Sequence, residues 1–502
     1  MAELTERPFP PGEYPVVVVG SGPGGLQTSY SLRSLGVEHA VISSDERPGG
    51  MFQRFPFFQR LITWTKPFSP SERGTPRYEW HDWNSLLGDE PSERALVAGF
   101  MDGSSYFPSR PEMEQGLEAF VRCSGLRVRY GCRWEGTERA EDGSGFTIRT
   151  SDGDYRCRVV VIAVGMTEAW KPTNIAGIEE APHYVETRDA RTYADRTVFV
   201  IGKRNSGFEI ADGLLPWARQ VVLGSPRPAK ISVITHSTSA ARARYLQPYE
   251  DHVLGGGTFV LDAAIERIER TGQGFRVHAS GTSRPGSLVF EVDDVIAATG
   301  FGTPLVDLER IGVKTFFQGK LPAQTAYWES ATVPGVYFAG SITQGAVGLK
   351  KYGIPSSSAA VHGFRYNARV LARHIAGSVF GVAPERPGVP PQEVVDLLLD
   401  AAARSPELWN QQSYLARQIS FEPAGSPRDD GIVPLQDFAD RSGSDAVAIC
   451  VETDDHGEIH PAVYVRRNDR VEDHVLPGDP LLRFDGSEHR AELTSLLKGV
   501  LP

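Results

Sequence analysis

Three glycines at fixed spacing, Gly20, Gly22 and Gly25, follow a run of four valines, Val16 to Val19, and precede an apolar stretch, Leu26 to Leu35, that stops at Gly36. The chemistry of such a turn is anion binding. The first glycine allows a tight turn, the second lets backbone approach a pyrophosphate, and the third lets helix and strand pack closely. The phosphates then sit on unpaired N–H groups at the positive end of the helix dipole. Gly24 belongs to the same turn. A second apolar run, His39 to Ile42, follows at the distance of a βαβ unit, and a ribose-binding carboxylate is expected at its end. Ser43 and Ser44 stand there, so Asp45 is the candidate, with a solvated loop acid as the other reading. Gly49 and Gly50 offer a turn where backbone could lie against a cofactor.

The pattern recurs in altered form. Val198 to Ile201 reads as a strand, and the turn GKRNSG keeps Gly202 and Gly207 but places Arg204 at the middle position, followed by Asn205 and Ser206. A guanidinium there could clamp a phosphate or close the site. Val221 to Leu223 is the next strand. Ser225 and Arg227 stand where a 2′-phosphate would lie, which favours NADP over NAD; Arg242 and Arg244 could add to that site. Three further strands end in glycine, at Gly165, Gly300 and Gly340, the last followed by Ser341. Pro355 and three serines start a helix expected to run to about Ile375. Between these elements, residues 53–88 form a loop rich in Phe, Trp, Pro and Arg, suited to a lid or to interdomain packing. An amphipathic helix is expected over Met113 to Cys123, and the tail carries strand-like runs at Ala446–Glu452 and Ala462–Arg466.

These elements must be carried by about three domains at 502 residues. The net charge of −11 argues against nucleic acid or an anionic membrane as partner. Four scattered cysteines, Cys123, Cys132, Cys157 and Cys450, give no C-x-x-C and no zinc spacing, and the acidic cluster Glu452 to Asp455 lacks calcium-loop spacing and reads as a hairpin turn. No metal site is expected. With no apolar signal-peptide core near the start and no run of membrane-spanning length, the chain reads as cytoplasmic; homo-oligomerisation is left open.

Two dinucleotide units with the motifs GSGPGG, RNSG followed by FEIA, and ATGF resemble the class B flavin-dependent monooxygenase branch of the two-dinucleotide flavoproteins. HDWNSLL (His81–Leu87) and HGFRY (His362–Tyr366) are similar to segments of the FAD-dependent oxidoreductase domain-containing proteins. The resemblance implies an α/β fold of two Rossmann-like domains, with an FAD-binding domain over 1–186 and 291–380. An NAD(P)H-binding domain over 187–290 is inserted in it. A linker over 381–391 and a small C-terminal α+β domain over 392–502 follow. It implies FAD and NADPH as cofactors, O₂ and a small molecule as substrates, and oxygen transfer through a C4a-(hydro)peroxyflavin to a soft nucleophile. An amine or amino-acid nitrogen is preferred, with sulfur or a ketone open. The start of the helix after Pro355 would face the flavin pyrimidine. Trp64, Lys66, Gln344 and Lys351 are the candidate catalytic residues, with Trp80 and His81 beside them on the aromatic loop. The chain departs from the resemblance at Arg204, and in the linker motif F-x-G-x-x-x-H, whose nearest match is Ile175, Gly177 and His183; His183 reads either as cofactor-linked or as an exposed linker residue. Two other functions remain open: an NAD(P)H-dependent flavin reductase or oxidase without oxygen insertion, and a flavin-fold binding protein. The missing C-x-x-C disfavours a dithiol relay.

Overall fold

A computed structural model describes residues 7–58, 60–232, 240–246, 257–422 and 426–498. In the first sheet β1 (Gly12–Val19) lies parallel between β2 (His39–Ile42) and β5 (Gly153–Ile162). β3 (Trp134–Arg139) and β4 (Phe146–Thr150) extend the far edge of β5, which also pairs in parallel with the late strand Val336–Phe338. The valines are sealed on both faces, as a continuous apolar run in a parallel sheet requires. Helix α1 (Pro23–Ser34) follows β1 directly, and α2 (Arg110–Ser124) carries a Ser109–Glu112 capping box that fixes its start.

Strand β6 (Glu168–Ala169) leads towards the second sheet, formed by β7 (Thr197–Ile201), β8 (Gln220–Ser225), β9 (Thr258–Thr271), β10 (Gly274–Gly281), β11 (Ser287–Val292) and β12 (Asp294–Ala297) in the order β11-β10-β9-β8-β7-β12. Helix α3 (Asn205–Leu214) follows β7. The return to the first domain, expected at residue 291, comes after Ala297 instead: β12 pairs in parallel with β7, Asp294 opposite Val198 and Ala297 opposite Ile201. A strand that ends in glycine has the same pattern whichever sheet it joins, and only pairing decides.

Helix α4 (Val361–Phe380) begins after a short turn at Ser357–Ala359 and ends at Gly381, whose left-handed backbone caps it five residues beyond the expected end. The tail folds as α5 (Val394–Arg404), α6 (Pro406–Asn410) and a five-stranded antiparallel sheet, with two further helices, Leu435–Asp440 between its strands and Ser487–Leu496 near its end. The sheet contains Leu415–Ser420, Arg428–Pro434, Ala446–Thr453, Ile459–Arg467 and Arg470–Val475. The acidic cluster is split: Glu452 is buried within its strand, while Asp454 accepts the N–H groups of His456 and Glu458 in the hairpin turn. This tail is not merely appended. One continuous core joins Val16 and Val18 of β1 to Leu371 and Ile375 of α4, Leu398 of α5, and Leu415, Val447 and Ile449 of the tail sheet. Each such side chain contributes roughly 1.5–3 kcal/mol by burial, so separating the tail would expose that shared surface. Among the described residues, no helix is long and apolar enough to cross a membrane.

Candidate functional site

Around the first glycine turn the structure separates packing from binding. Gly20 has φ +115°, and a Cβ there would lie 2.5 Å from the carbonyl oxygen of Ala163. A Cβ on Gly24 would lie 2.5 Å from the Gly340 nitrogen, and one on Gly25 would overlap the Gly20 carbonyl. At Gly22 the added atom meets only the Gly50 Cα, at 3.7 Å. Gly22 is therefore the position whose missing side chain leaves open space. That space is a cavity of about 540 Å³ that runs along Gly20, Gly22, Gly24 and Gly50 to Gly165, Gly340 and Ser341. Helix α1 has no side-chain cap and carries proline in its first turn, so its leading N–H groups are free for an anion. Asp45 lines the same cavity, with its Oδ2 3.2 Å from the Ser21 hydroxyl.

Cys132, Arg133 and Trp134 line the Asp45 end of the cavity, and the sequence reading missed them. The Cys132 N–H donates to the Ser43 carbonyl at 2.8 Å and the Gly131 N–H to the Asp45 carbonyl at 2.9 Å. They follow no motif; only the approach of the 129–132 segment to the end of β2 brings them in. Burial pushes the Cys132 thiol up, which makes it a poor nucleophile.

The other end of the cavity is walled by Phe55, Tyr184, Phe301, Val361 and Phe364. Asn205 and Ser206, at the start of α3, line the same cavity, so one space joins both dinucleotide turns. Glu209, also missed by the sequence reading, is buried behind them. It accepts the Phe58 N–H at 2.7 Å and the Tyr184 hydroxyl, while Phe58 fills the notch above Gly213. This clasp holds the aromatic loop of one domain to the helix of the other. An acid within the apolar run Phe208–Ala211 was the available signal.

Several expected site residues are placed elsewhere. Trp64 lies against Trp83, with ring centroids 4.9 Å apart, and carries the Lys66 ammonium over its face; neither lines the cavity. Trp80 donates to the Arg404 carbonyl at 3.0 Å and docks the tail, and the His81 ring packs edge-on against Tyr78. Gln344 donates to the Ser341 carbonyl at 2.8 Å and contacts Met166, bridging two strand–glycine turns. Lys351 pairs with the buried Glu452 at 3.3 Å and with Asp473, because its loop lies on the tail sheet. His183 is fully buried, not an exposed linker residue: one ring nitrogen accepts from the Val185 N–H and the other bonds the Gly300 carbonyl at 2.9 Å. Burial holds its pKa down, and it fixes Gly300, which itself does not line the cavity.

In the second unit Gly202, at φ +131°, and Gly207 are packing positions against Ala298 and the Gly202 carbonyl. Arg204 is the exposed cap of α3 and lies outside the cavity lining. Ser225 is the last residue of β8 and exposed Arg227 lies just beyond it, both also outside the cavity lining. Buried Lys203 crosses to the Leu261 carbonyl at 2.8 Å and to Asp262, which stands opposite Ser225 in the pairing of β8 with β9. Among the described residues no cluster of ligating side chains could hold a metal ion.

Two glycine turns of this kind, each on the parallel strands of a mixed sheet and sharing one cleft, define a two-dinucleotide-binding oxidoreductase fold. Residues 17–340 match the family described as pyridine nucleotide-disulphide oxidoreductase, and the chain belongs to that family. It is 25% identical over 436 residues to FAD-dependent oxidoreductase domain-containing protein 2 of Danio rerio, covering 76% of this chain and 61% of that one. The chain thus spans about three fifths of that relative's length. Its fold is shared by the bacillithiol disulfide reductase Bdr of Staphylococcus aureus (TM-score 0.56, 17% identity, 73% of this chain and 99% of that one). It is shared equally by a flavin-containing monooxygenase of Stenotrophomonas maltophilia (TM-score 0.55, 19% identity, 73% and 99%).

Proposed function

We propose that the chain is an FAD-dependent, NADPH-using monooxygenase that transfers one atom of O₂ to a soft nucleophile of a small molecule, an amine or amino-acid nitrogen. One observation carries this reading: a single aromatic-walled cavity spans both dinucleotide turns, and no cysteine pair stands in it. Hydride arriving at that cavity has no dithiol to pass to, and all four cysteines are free.

FAD, when bound, supplies two-electron transfer from NADPH and the activation of O₂. The chain's own residues do the rest. The free N–H groups at the start of α1 hold the pyrophosphate beside Gly22, and Asp45 accepts from the ribose. The first turn of α4 has no side-chain cap, so its unpaired N–H groups favour negative charge beside Val361. Phe55, Phe301, Phe364 and Tyr184 exclude water from that end, which strengthens every electrostatic contact made there. Arg227, just beyond the end of β8, is the proposed partner of a 2′-phosphate.

Stopped-flow absorbance tests the reading. The FAD-loaded protein is reduced with NADPH under anaerobic conditions and then mixed with O₂. A lasting absorbance band distinct from oxidised flavin, whose decay a nucleophilic amine accelerates, is the expected result. Immediate return of the oxidised spectrum with stoichiometric peroxide would refute it in favour of an oxidase, and a protein that takes up no FAD would refute both.

A further inference from the structure

The segment between the third strand–glycine turn and α4 is held from outside its own domain. Its two ends reach the large cavity: Gly340 and Ser341 line it at one end, and Ala359, Ala360 and Val361 at the other. The tail grips what lies between. Leu349 packs on the tail core, and Gly348 comes so close to the Tyr414 ring that a Cβ there would lie 2.8 Å from it. Lys351 pairs with Glu452, and the Tyr352 ring meets the His460 ring edge-on, with centroids 6.1 Å apart.

A second contact is polar and lies deeper. Gln411 follows α6 directly, and its side chain is sealed from solvent. Its Nε2 donates to the Asn367 Oδ1 at 2.6 Å and to the Ser358 hydroxyl oxygen at 3.0 Å. Asn367, on the second turn of α4, passes the contact on. Its Nδ2 donates to the Thr343 hydroxyl oxygen at 3.0 Å and to that of Ser358 at 2.9 Å. The Thr343 hydroxyl in turn donates to the Gly340 carbonyl at 2.7 Å. Ser358, Thr343 and Asn367 are all fully buried. One unbroken chain of side-chain hydrogen bonds thus runs from the tail to a residue of the cavity wall, and its branch ends beside Ala359.

An apolar contact tolerates small slips, because it has no direction. Each link of this relay sets a donor on one acceptor, and in a dry interior such links reinforce one another and are costly to leave unmade. The relay therefore fixes two things at once. It holds the Gly340 peptide, whose φ of +75° makes the turn, by its carbonyl. It also holds Ser358, and with it the approach to α4, at a set distance from that turn.

We propose that the tail domain completes the cofactor site, with Gln411 as a positioning residue that fixes the Gly340 turn and the start of α4 against bound FAD. The inference rests on FAD occupying the cavity with its flavin at the α4 end, and not on which reaction follows. The N–H groups at that helix start favour the added negative charge of a reduced flavin only while they are held in place. Loosening the relay weakens both the binding of FAD and the preference for its reduced form.

FAD titration of the full chain by flavin fluorescence, with the midpoint potential of the bound flavin, tests this without substrate or O₂. Gln411→Met keeps the length of the side chain and removes both donors. It should weaken FAD roughly tenfold, the loss of a buried hydrogen-bonded contact. It should also lower the preference for reduced flavin by up to about tenfold, a midpoint about 30 mV more negative. Thr343→Val breaks the same chain at its other end and should move both readouts in the same direction. The double variant should be little worse than either single one, because members of one network couple. Leu493→Ala, on the last helix of the tail, is the control: it should lower Tm and leave FAD affinity and potential at wild-type values. Wild-type affinity and potential in Gln411→Met and Thr343→Val overturn the positioning role, as do additive effects in the double variant or an equal potential shift in Leu493→Ala. If Gln411→Met does not fold, Thr343→Val against Leu493→Ala decides. Wild-type protein that takes up no FAD overturns the cofactor reading and the inference with it, whereas the other negative results leave FAD binding standing.

Discussion

Adding one methyl group at Gly24 or at Gly22 should affect apoprotein stability differently, although the two glycines stand two residues apart in one turn. Neither has positive φ, so alanine is tolerated by the backbone at both, and only the surroundings differ. At Gly24 the new Cβ would lie 2.5 Å from the Gly340 nitrogen and 3.2 Å from the Ala339 carbonyl carbon. Ordinary contact needs about 3.5 Å, so α1 and the turn after Val336–Phe338 must separate by about 1 Å. The obstacle is backbone, which cannot swing aside as a side-chain tip can, and overpacking of this kind costs roughly 1–3 kcal/mol. At Gly22 the nearest atom is the Gly50 Cα at 3.7 Å, so the fold is unstrained while the methyl enters the path of the pyrophosphate. Gly24→Ala is therefore expected to lower the Tm of the apoprotein and to weaken FAD. Gly22→Ala should leave the apoprotein Tm unchanged and release FAD. Thermal denaturation of FAD-stripped protein, with flavin fluorescence titration of each variant, measures both. An unchanged apoprotein Tm for Gly24→Ala, or FAD retention by Gly22→Ala at wild-type affinity, would refute the division of labour.

Three further outcomes follow from buried groups. His362 is pushed down to about 3 and His374 to about 4, in each case chiefly by burial. Unfolded histidines take a proton near 6.5, so stability is full above that pH and falls as pH drops towards 4 and 3, by about 2 kcal/mol per histidine at pH 5. Urea unfolding of His374→Phe, which keeps the stack on Tyr327, should lose less stability than wild type between pH 7 and 5; equal losses would refute this. Glu209→Ala strips the Phe58 N–H and the Tyr184 hydroxyl of their acceptor and should cost about 2–4 kcal/mol, seen as a lower urea midpoint and faster proteolysis of the 53–58 loop. Lys351→Met leaves the buried Glu452 with the Tyr464 hydroxyl and Cys450 thiol as donors and the His460 ring 3.8 Å away and should destabilise the protein by about 2–3 kcal/mol at neutral pH, whereas Asp473→Asn, at the exposed end of the pair, should cost little.

The sequence by itself determined the repeating units. Four valines in a row can only be buried on both faces, and glycines at that spacing can only turn tightly onto a helix, so β1, α1 and β2, and then β7, α3 and β8, follow from local patterning. The family likeness is legible for the same reason. Tertiary structure decided what patterning leaves degenerate. The run Asp294–Ala297 fits either sheet, and pairing with β7 assigned it to the second. Aromatic and basic residues such as Trp64 and Lys351 have the composition of a binding site, yet their loops put one against Trp83 and the other on Glu452. The residues that close the cavity come from separate parts of the chain: Tyr184 and Phe301 as walls and Glu209 as the clasp. Spacing along a chain encodes contacts within one turn or one strand pair. Convergence of segments from two domains on one cavity is encoded only in how the domains pack, and no local pattern records it.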